Sequence, residues 1–260
     1  MNRSLKTAVT ILLIFAARGA AQTEQTVAKT DWLSSAVTDI GHLPKDILQD
    51  SNDTFLRKDN LMALMLAGGA SIAMHNTSAD DHLAGFAERH RAFNSFWDEG
   101  FDILGSPATH FAATGLWYAL SVENQDSFNK DRAWTMIRAL STTGLVTVSL
   151  KAIRNNDCPN GKPWAWPSGH TSSSFTVASV LDEFYGHEIG IPAYALASLV
   201  AYRMVDAEDH WGSDIVFGAT LGWVVGHTVA GKHKQLELAG FQVSPYADGG
   251  AMGINMIKTF

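Results

Sequence analysis

Pro167-Ser168-Gly169-His170-Thr171, running into a Ser/Thr-rich apolar stretch, decides how this chain is read, together with Tyr202-Arg203 and, after six intervening residues, His210-Trp211-Gly212-Ser213-Asp214. Upstream of both lies Lys151-Ala-Ile-Arg154-Asn-Asn-Asp157-Cys158-Pro159, at the end of an apolar helical pattern. Pro167-Ser168-Gly169 opens a helix, so the Ser168 hydroxyl and the first free N–H groups, at Gly169 and after, point at one spot, where the helix dipole favours an anion. Lys151 and Arg203 are fixed cations, and a guanidinium offers a planar two-donor fork suited to phosphate. His210 and Asp214 stand four residues apart and share a face on a helix. A carboxylate on one ring nitrogen fixes the tautomer and leaves the other free to attack phosphorus. His170 is then available to protonate a departing alkoxide and later to activate water.

Other chemistries fit less well. The chain has no His-Glu-x-x-His and one cysteine, Cys158, so neither a zinc site nor a disulfide framework is expected. Ser168 sits in Pro-Ser-Gly-His and not in the Gly-x-Ser-x-Gly of hydrolase elbows. Of the ten histidines, His42, His75, His82, His90, His187, His227 and His233 read as surface or satisfied core residues, and so does His110. A net charge of −7 excludes a general phosphate-backbone binder, so no nucleic acid is expected.

The three segments, in this order, resemble the type 2 phosphatidic-acid phosphatase superfamily, which includes bacterial class A acid phosphatases, lipid phosphatases and vanadium haloperoxidases. The resemblance covers Leu150 to about Gly222. It implies an all-α, multi-helix bundle of the acid phosphatase/vanadium haloperoxidase type. It also implies a metal-independent phosphomonoester hydrolase in which His210 forms a phosphohistidine, Asp214 orients it and His170 serves the leaving group. Lys151, Ser168, Gly169 and Arg203 would hold the phosphoryl oxygens. No cofactor is implied, vanadate entering only under the haloperoxidase alternative. The other readings are a membrane-associated phosphatase of phosphatidate or an isoprenyl pyrophosphate, and a catalytically impaired relative with a binding or structural role.

Three departures stand out. Cys158 occupies the place of the first-motif arginine, Tyr202 replaces a serine, and six residues rather than five separate Arg203 from His210. Lys151, Arg154 and Cys158 fall on one helical face at i, i+3 and i+7, so Arg154 is a candidate for the missing phosphate-binding guanidinium. Asp206, Glu208 and Asp209, facing the pocket, would disfavour highly charged anions.

Composition frames the rest. Of 260 residues, 46% are hydrophobic and 17% charged, against about 25% charged in ordinary soluble domains, which excludes disorder and points to a strongly apolar helical interior. Residues 1–21 combine a basic start, an apolar run from Thr7 to Ala17 and small residues before Gln22, the pattern of a signal peptide and of a periplasmic or secreted protein. Residues 22–58 read as an arm with short helices, 59–235 as a domain of six helical stretches, and 236–260 as a tail. In that tail Asp248-Gly249-Gly250 marks the turn of a short β-hairpin. Apolar runs such as Leu61 to Met74 and Ile189 to Tyr202 are 14 residues long, short of the roughly 20 that span a bilayer. That favours a soluble exported protein, with an integral membrane bundle as the alternative. Apolar helical faces suit a core, a partner or lipid equally, so oligomeric state is unspecified.

Overall fold

The computed structural model describes residues 32–231 and the backbone of three strands beyond them. The signal peptide expected over 1–21 lies outside the described residues, as does the start of the arm. Nine helices occupy the described residues: α1 (Trp32–Phe55), α2 (Lys58–Asn76), α3 (Ala79–Arg89), α4 (Ser95–Gly105), α5 (Pro107–Glu123), α6 (Ser127–Arg154), α7 (Gly169–Tyr185), α8 (His187–Asp206) and α9 (Gly212–Gly231). The protein is an all-α bundle, with β1 (Leu236–Leu238), β2 (Phe241–Asp248) and β3 (Ala251–Ile257) following as an antiparallel meander in which Asp248 pairs with Ala251.

The punctuation of the chain sets these boundaries. The 20 uncharged residues from Ile103 to Val122 are two helices because Pro107 takes the first position of α5, where its missing N–H costs nothing. Asn94 caps α4 by accepting from the Trp97 N–H, and Asp126 caps α6 by accepting from the Asn129 N–H. α7 and α8 meet at the single residue Gly186, whose φ of +77° suits glycine. From 58 to 231 there are eight helices rather than six, two of them, α3 and α4, only 11 residues each.

The arm differs from expectation too: α1 is one helix of 24 residues, continuous through Pro44. Its acidic face explains why it holds. Asp39 accepts from Tyr118 Oη at 2.5 Å and pairs with Lys130 at 2.9 Å, while Asp50, wholly buried, takes both Arg138 Nη2 and Nε at 2.6 and 2.9 Å. A tertiary hydrogen bond from α5 and ion pairs from α6 thus outweigh the local break.

The core lies between α6, α7 and α9, around Leu140, Val180, Leu221, Val225 and Val229. α7 and α9 approach closely along Gly218, Gly222 and Gly226. A Cβ on Gly222 would stand 2.2 Å from the Ser172 carbonyl oxygen, and one on Gly226 2.7 Å from the Ser179 Cβ. Successive helices from α5 onward run antiparallel, as the Thr143–Thr176 and Thr147–Ser172 contacts between α6 and α7 show, and the longest connection is the loop between Arg154 and Gly169. The N-termini of α5, α7 and α9 therefore meet the C-termini of α6 and α8 at one end, and all three motifs lie there.

Candidate active site

At that end His210 precedes α9 and does not belong to it. Its Nδ1 stands 3.2 Å from Asp214 Oδ2, and the same oxygen accepts the Trp211 N–H at 2.9 Å. The i, i+4 pair is thus made across the helix start, where a carboxylate also complements the dipole, rather than along one helical face. Both side chains are buried, Asp214 to 1% exposure. A hydrogen bond from the His210 N–H to the Met204 carbonyl fixes the turn leading in.

Ser168 is fully buried and caps α7, its Oγ accepting from the Thr171 N–H at 3.3 Å and from the Thr171 hydroxyl at 3.0 Å. The Ser168 N–H donates to the Asp214 carbonyl, tying the starts of α7 and α9 together. Gly169 and His170 are half-buried, and no atom lies within 4 Å of where a Cβ on Gly169 would be. The N-terminus of α7 thus has open space before it.

The cations are engaged by the protein itself. Lys151 donates to the carbonyls of Trp164 and Ala165 in the connecting loop. Arg203, 8% exposed, donates to Asp98 at 2.7 Å, Asp102 at 2.9 Å and Asp209 at 2.7 Å. The Asp102 oxygen that meets Arg203 also stands 3.5 Å from His170 Nε2. Arg154 is exposed, its guanidinium 5.7 Å from the centroid of the Trp166 ring. Lys151, Ser168, Gly169, His170, Arg203, His210 and Asp214 therefore converge, with Arg154 beside them on an aromatic face.

The acidic trio divides. Asp206 is buried and accepts the N–H groups of Ala92 and Phe93, Glu208 pairs with Arg91 at 2.6 Å, and only Asp209 turns to Arg203. Three carboxylates escaped the sequence reading. Asp98 and Asp102 stand four apart on α4, a spacing that puts them on one face and was the available signal. Asp80, on α3, gave none.

Cys158 is buried where the first-motif arginine is expected. Burial pushes its thiol up to about 11, with Asp214 and Asp209 adding to the rise and Lys151 and Lys162 opposing it. Its surroundings are those of the site. Asp209 goes the other way: burial works against its charge, but bonds and charge from Lys162 and Arg203 hold it below the usual range.

Residues 132–236 match the model of the PAP2 superfamily. The resemblance read from the three motifs stands. The lipid A 1-phosphatase of Porphyromonas gingivalis is 32% identical over 65 residues, 24% of this chain and 15% of that protein. The match therefore spans a small part of that relative's length. The first transmembrane PAP2-type phosphatidylglycerolphosphate phosphatase from Bacillus subtilis superposes with a TM-score of 0.58 at 19% identity, over 68% of this chain and 96% of its own, a likeness of fold. LpxE of Aquifex aeolicus gives a TM-score of 0.49 at 23% identity, over 57% of this chain and 92% of its own.

Proposed function

We propose that the chain is a lipid phosphate phosphatase set in a membrane, with its site at the membrane–water boundary. The reading departs from the soluble exported phosphomonoesterase that the short apolar runs suggested. Two kinds of observation support it: the lipid A 1-phosphatase and the phosphatidylglycerolphosphate phosphatase above are named for lipid phosphates, and the outer faces of the bundle stay apolar. Leu61, Met62, Met65, Leu66 and Ile72 on α2 are all exposed, as are Ile191, Leu196 and Leu199 on α8. An apolar surface of that extent marks a membrane or partner. Among the described residues α6 is long and apolar enough to cross a bilayer, with a third of its most apolar stretch buried.

The observation that carries the chemistry is the His210–Asp214 pair facing the N-terminus of α7. In the reaction we propose, His210 Nε2 attacks phosphorus, the P–O bond to the lipid alkoxide breaks, and a P–N bond forms. His170 gives its proton to the alkoxide, then takes one from water as that water cleaves the P–N bond and releases phosphate. Asp214 holds the ring and stabilises the imidazolium form. Arg203, Lys151, Ser168 and Gly169 would exchange their present partners for phosphoryl oxygens, a stabilisation that needs no proton bookkeeping.

The test is phosphate release from phosphatidate, phosphatidylglycerolphosphate and lipid A 1-phosphate in mixed micelles with EDTA, by the full chain and by His210→Ala. Release lost in the variant supports the reading. Equal release by both removes His210 as nucleophile, and release from soluble esters alone restores the exported phosphomonoesterase.

A further inference from the structure

Two departures from the superfamily pattern touch each other. The loop that carries Cys158 turns back at Cys158–Lys162, with the Gly161 N–H on the Cys158 carbonyl, the Cys158 N–H on the Lys162 carbonyl, and Gly161 at a φ of +78°. This turn is docked on the segment between Arg203 and His210, the one that is a residue longer than in the superfamily pattern. The Asn160 N–H donates to the Glu208 carbonyl at 3.2 Å, Asn160 Nδ2 donates to Asp209 Oδ1 at 2.9 Å, and Lys162 Nζ reaches the same oxygen at 3.2 Å. Trp211 Nε1 donates to the Asp157 carbonyl at 2.8 Å and closes the joint from the other side.

The result is one carboxylate with a cation on each oxygen: Lys162 on Oδ1 and Arg203 on Oδ2. An anion with two oxygens is what that pair of donors is set to receive. Other cations around the site are committed differently, Arg91 to Glu208, Arg154 to the Trp166 face and Lys151 to two carbonyls. Lys162 is 71% exposed, and as a surface ion pair alone it would be worth little. Its place is informative because the turn that holds it begins at the residue that has lost its guanidinium, and ends on the residue that holds Arg203.

We propose that Lys162 is a third fixed cation of the phosphate cradle beside Lys151 and Arg203, replacing from the loop the charge that Cys158 cannot supply from the end of α6. The inference rests on the phosphatase reading for its purpose, but phosphate binding tests it without turnover. Asp209 keeps Lys162 and Arg203 apart and oriented while the site is empty, and a phosphoryl group entering before α7 takes both.

The experiment is calorimetric titration of inorganic phosphate into the full chain in detergent, for the parent, Lys162→Ala, Lys162→Arg and Arg154→Ala, with a thermal melt of each. Loss of one charge-assisted partner corresponds to weakening of about tenfold to a hundredfold. Lys162→Ala is expected to show it, Lys162→Arg to stay within about threefold of the parent, and all melts to coincide because the side chain is exposed. Phosphate binding unchanged in Lys162→Ala overturns the proposal. So does the reverse pattern, binding lost with Arg154→Ala and kept with Lys162→Ala, which returns the missing cation to α6. A parent that binds no phosphate overturns it too. A parent that binds phosphate but hydrolyses no lipid phosphate leaves Lys162 in place and removes only the function proposed above.

Discussion

Asp80 of α3 takes both the backbone N–H and the hydroxyl of Ser213, at 2.9 and 2.6 Å, from a position only 3% exposed. It does from a neighbouring helix what an N-cap does from within, satisfying a donor that the first turn of α9 leaves free. Ser213 lies between His210 and Asp214, so α3 sets where the proposed nucleophile and its carboxylate begin. Leaving a buried donor unmet costs about 1–3 kcal/mol each. Asp80→Ala is therefore expected to lower the melting temperature by several degrees, at roughly 2–4 °C per kcal/mol for a chain of this size. It should also lower kcat more than KM. Asp80→Asn, which keeps one acceptor, should lose less of both. A melt and kcat unchanged in Asp80→Ala would show that α9 is positioned without it.

Two glycines separate packing from chemistry. A methyl on Gly222 would meet backbone, the Ser172 carbonyl oxygen at 2.2 Å and the Thr176 nitrogen at 2.8 Å, neither of which can turn aside. Gly222→Ala must push α7 and α9 apart, an overpacking cost of about 1–3 kcal/mol or more. A methyl on Gly169 would meet nothing within 4 Å. Gly169→Ala is expected to melt with the parent yet bind phosphate more weakly, because the methyl stands in the space before α7. Thermal melts and phosphate titrations of the two variants check this, and a Gly169→Ala chain that binds phosphate as the parent does would move the anion elsewhere.

That contrast also marks what could be read from the sequence. The three motifs named the residues that meet, because each carries its own chemistry, and the loop at 155–167 punctuated the helices around them. What escaped was set by partners distant in sequence. α1 is continuous through Pro44 because Asp39 and Asp50 find Tyr118, Lys130 and Arg138 some 80 residues on. Arg203 looked like a free phosphate ligand, since nothing near it in sequence announces that Asp98 and Asp102 pair with it. The glycines at 218, 222 and 226 were a legible signal of close helix approach, hidden inside a uniformly apolar run.

Cys158 gives a prediction in pH. Its thiol is raised from an ordinary 9.0 to about 11, chiefly by burial and then by Asp214. The folded state therefore holds the proton more tightly than the unfolded chain. Stability owed to this group is complete below about pH 9 and declines as pH rises toward 11. At pH 8 a free thiol near 8.5 is roughly a quarter thiolate, whereas this one is about one part in a thousand. Iodoacetamide should label the native chain about two orders of magnitude more slowly than a small thiol, and denaturant should abolish the difference. Rapid native labelling would mean that the thiol is not held in its protonated form.

Asp214 acts through a single oxygen, and this sets the expected order of its variants. Oδ2 receives both His210 Nδ1 and the Trp211 N–H. In Asp214→Asn the amide oxygen can take that place and keep both bonds. The ring then retains its tautomer, and only the charge that stabilises the imidazolium is lost. Exchanging a charged for a neutral acceptor costs about 1–2 kcal/mol, so kcat on a lipid phosphate should fall about tenfold to thirtyfold, with KM little changed. Asp214→Ala removes the acceptor altogether, frees the tautomer and leaves the Trp211 N–H buried and unmet. Removal of such an orienting carboxylate is expected to cost about a thousandfold or more in kcat, together with a lower melting temperature. Steady-state rates of the two variants decide the point. If Asp214→Asn is as inactive as Asp214→Ala while its melt matches the parent, the carboxylate works through its charge and not by orienting the ring.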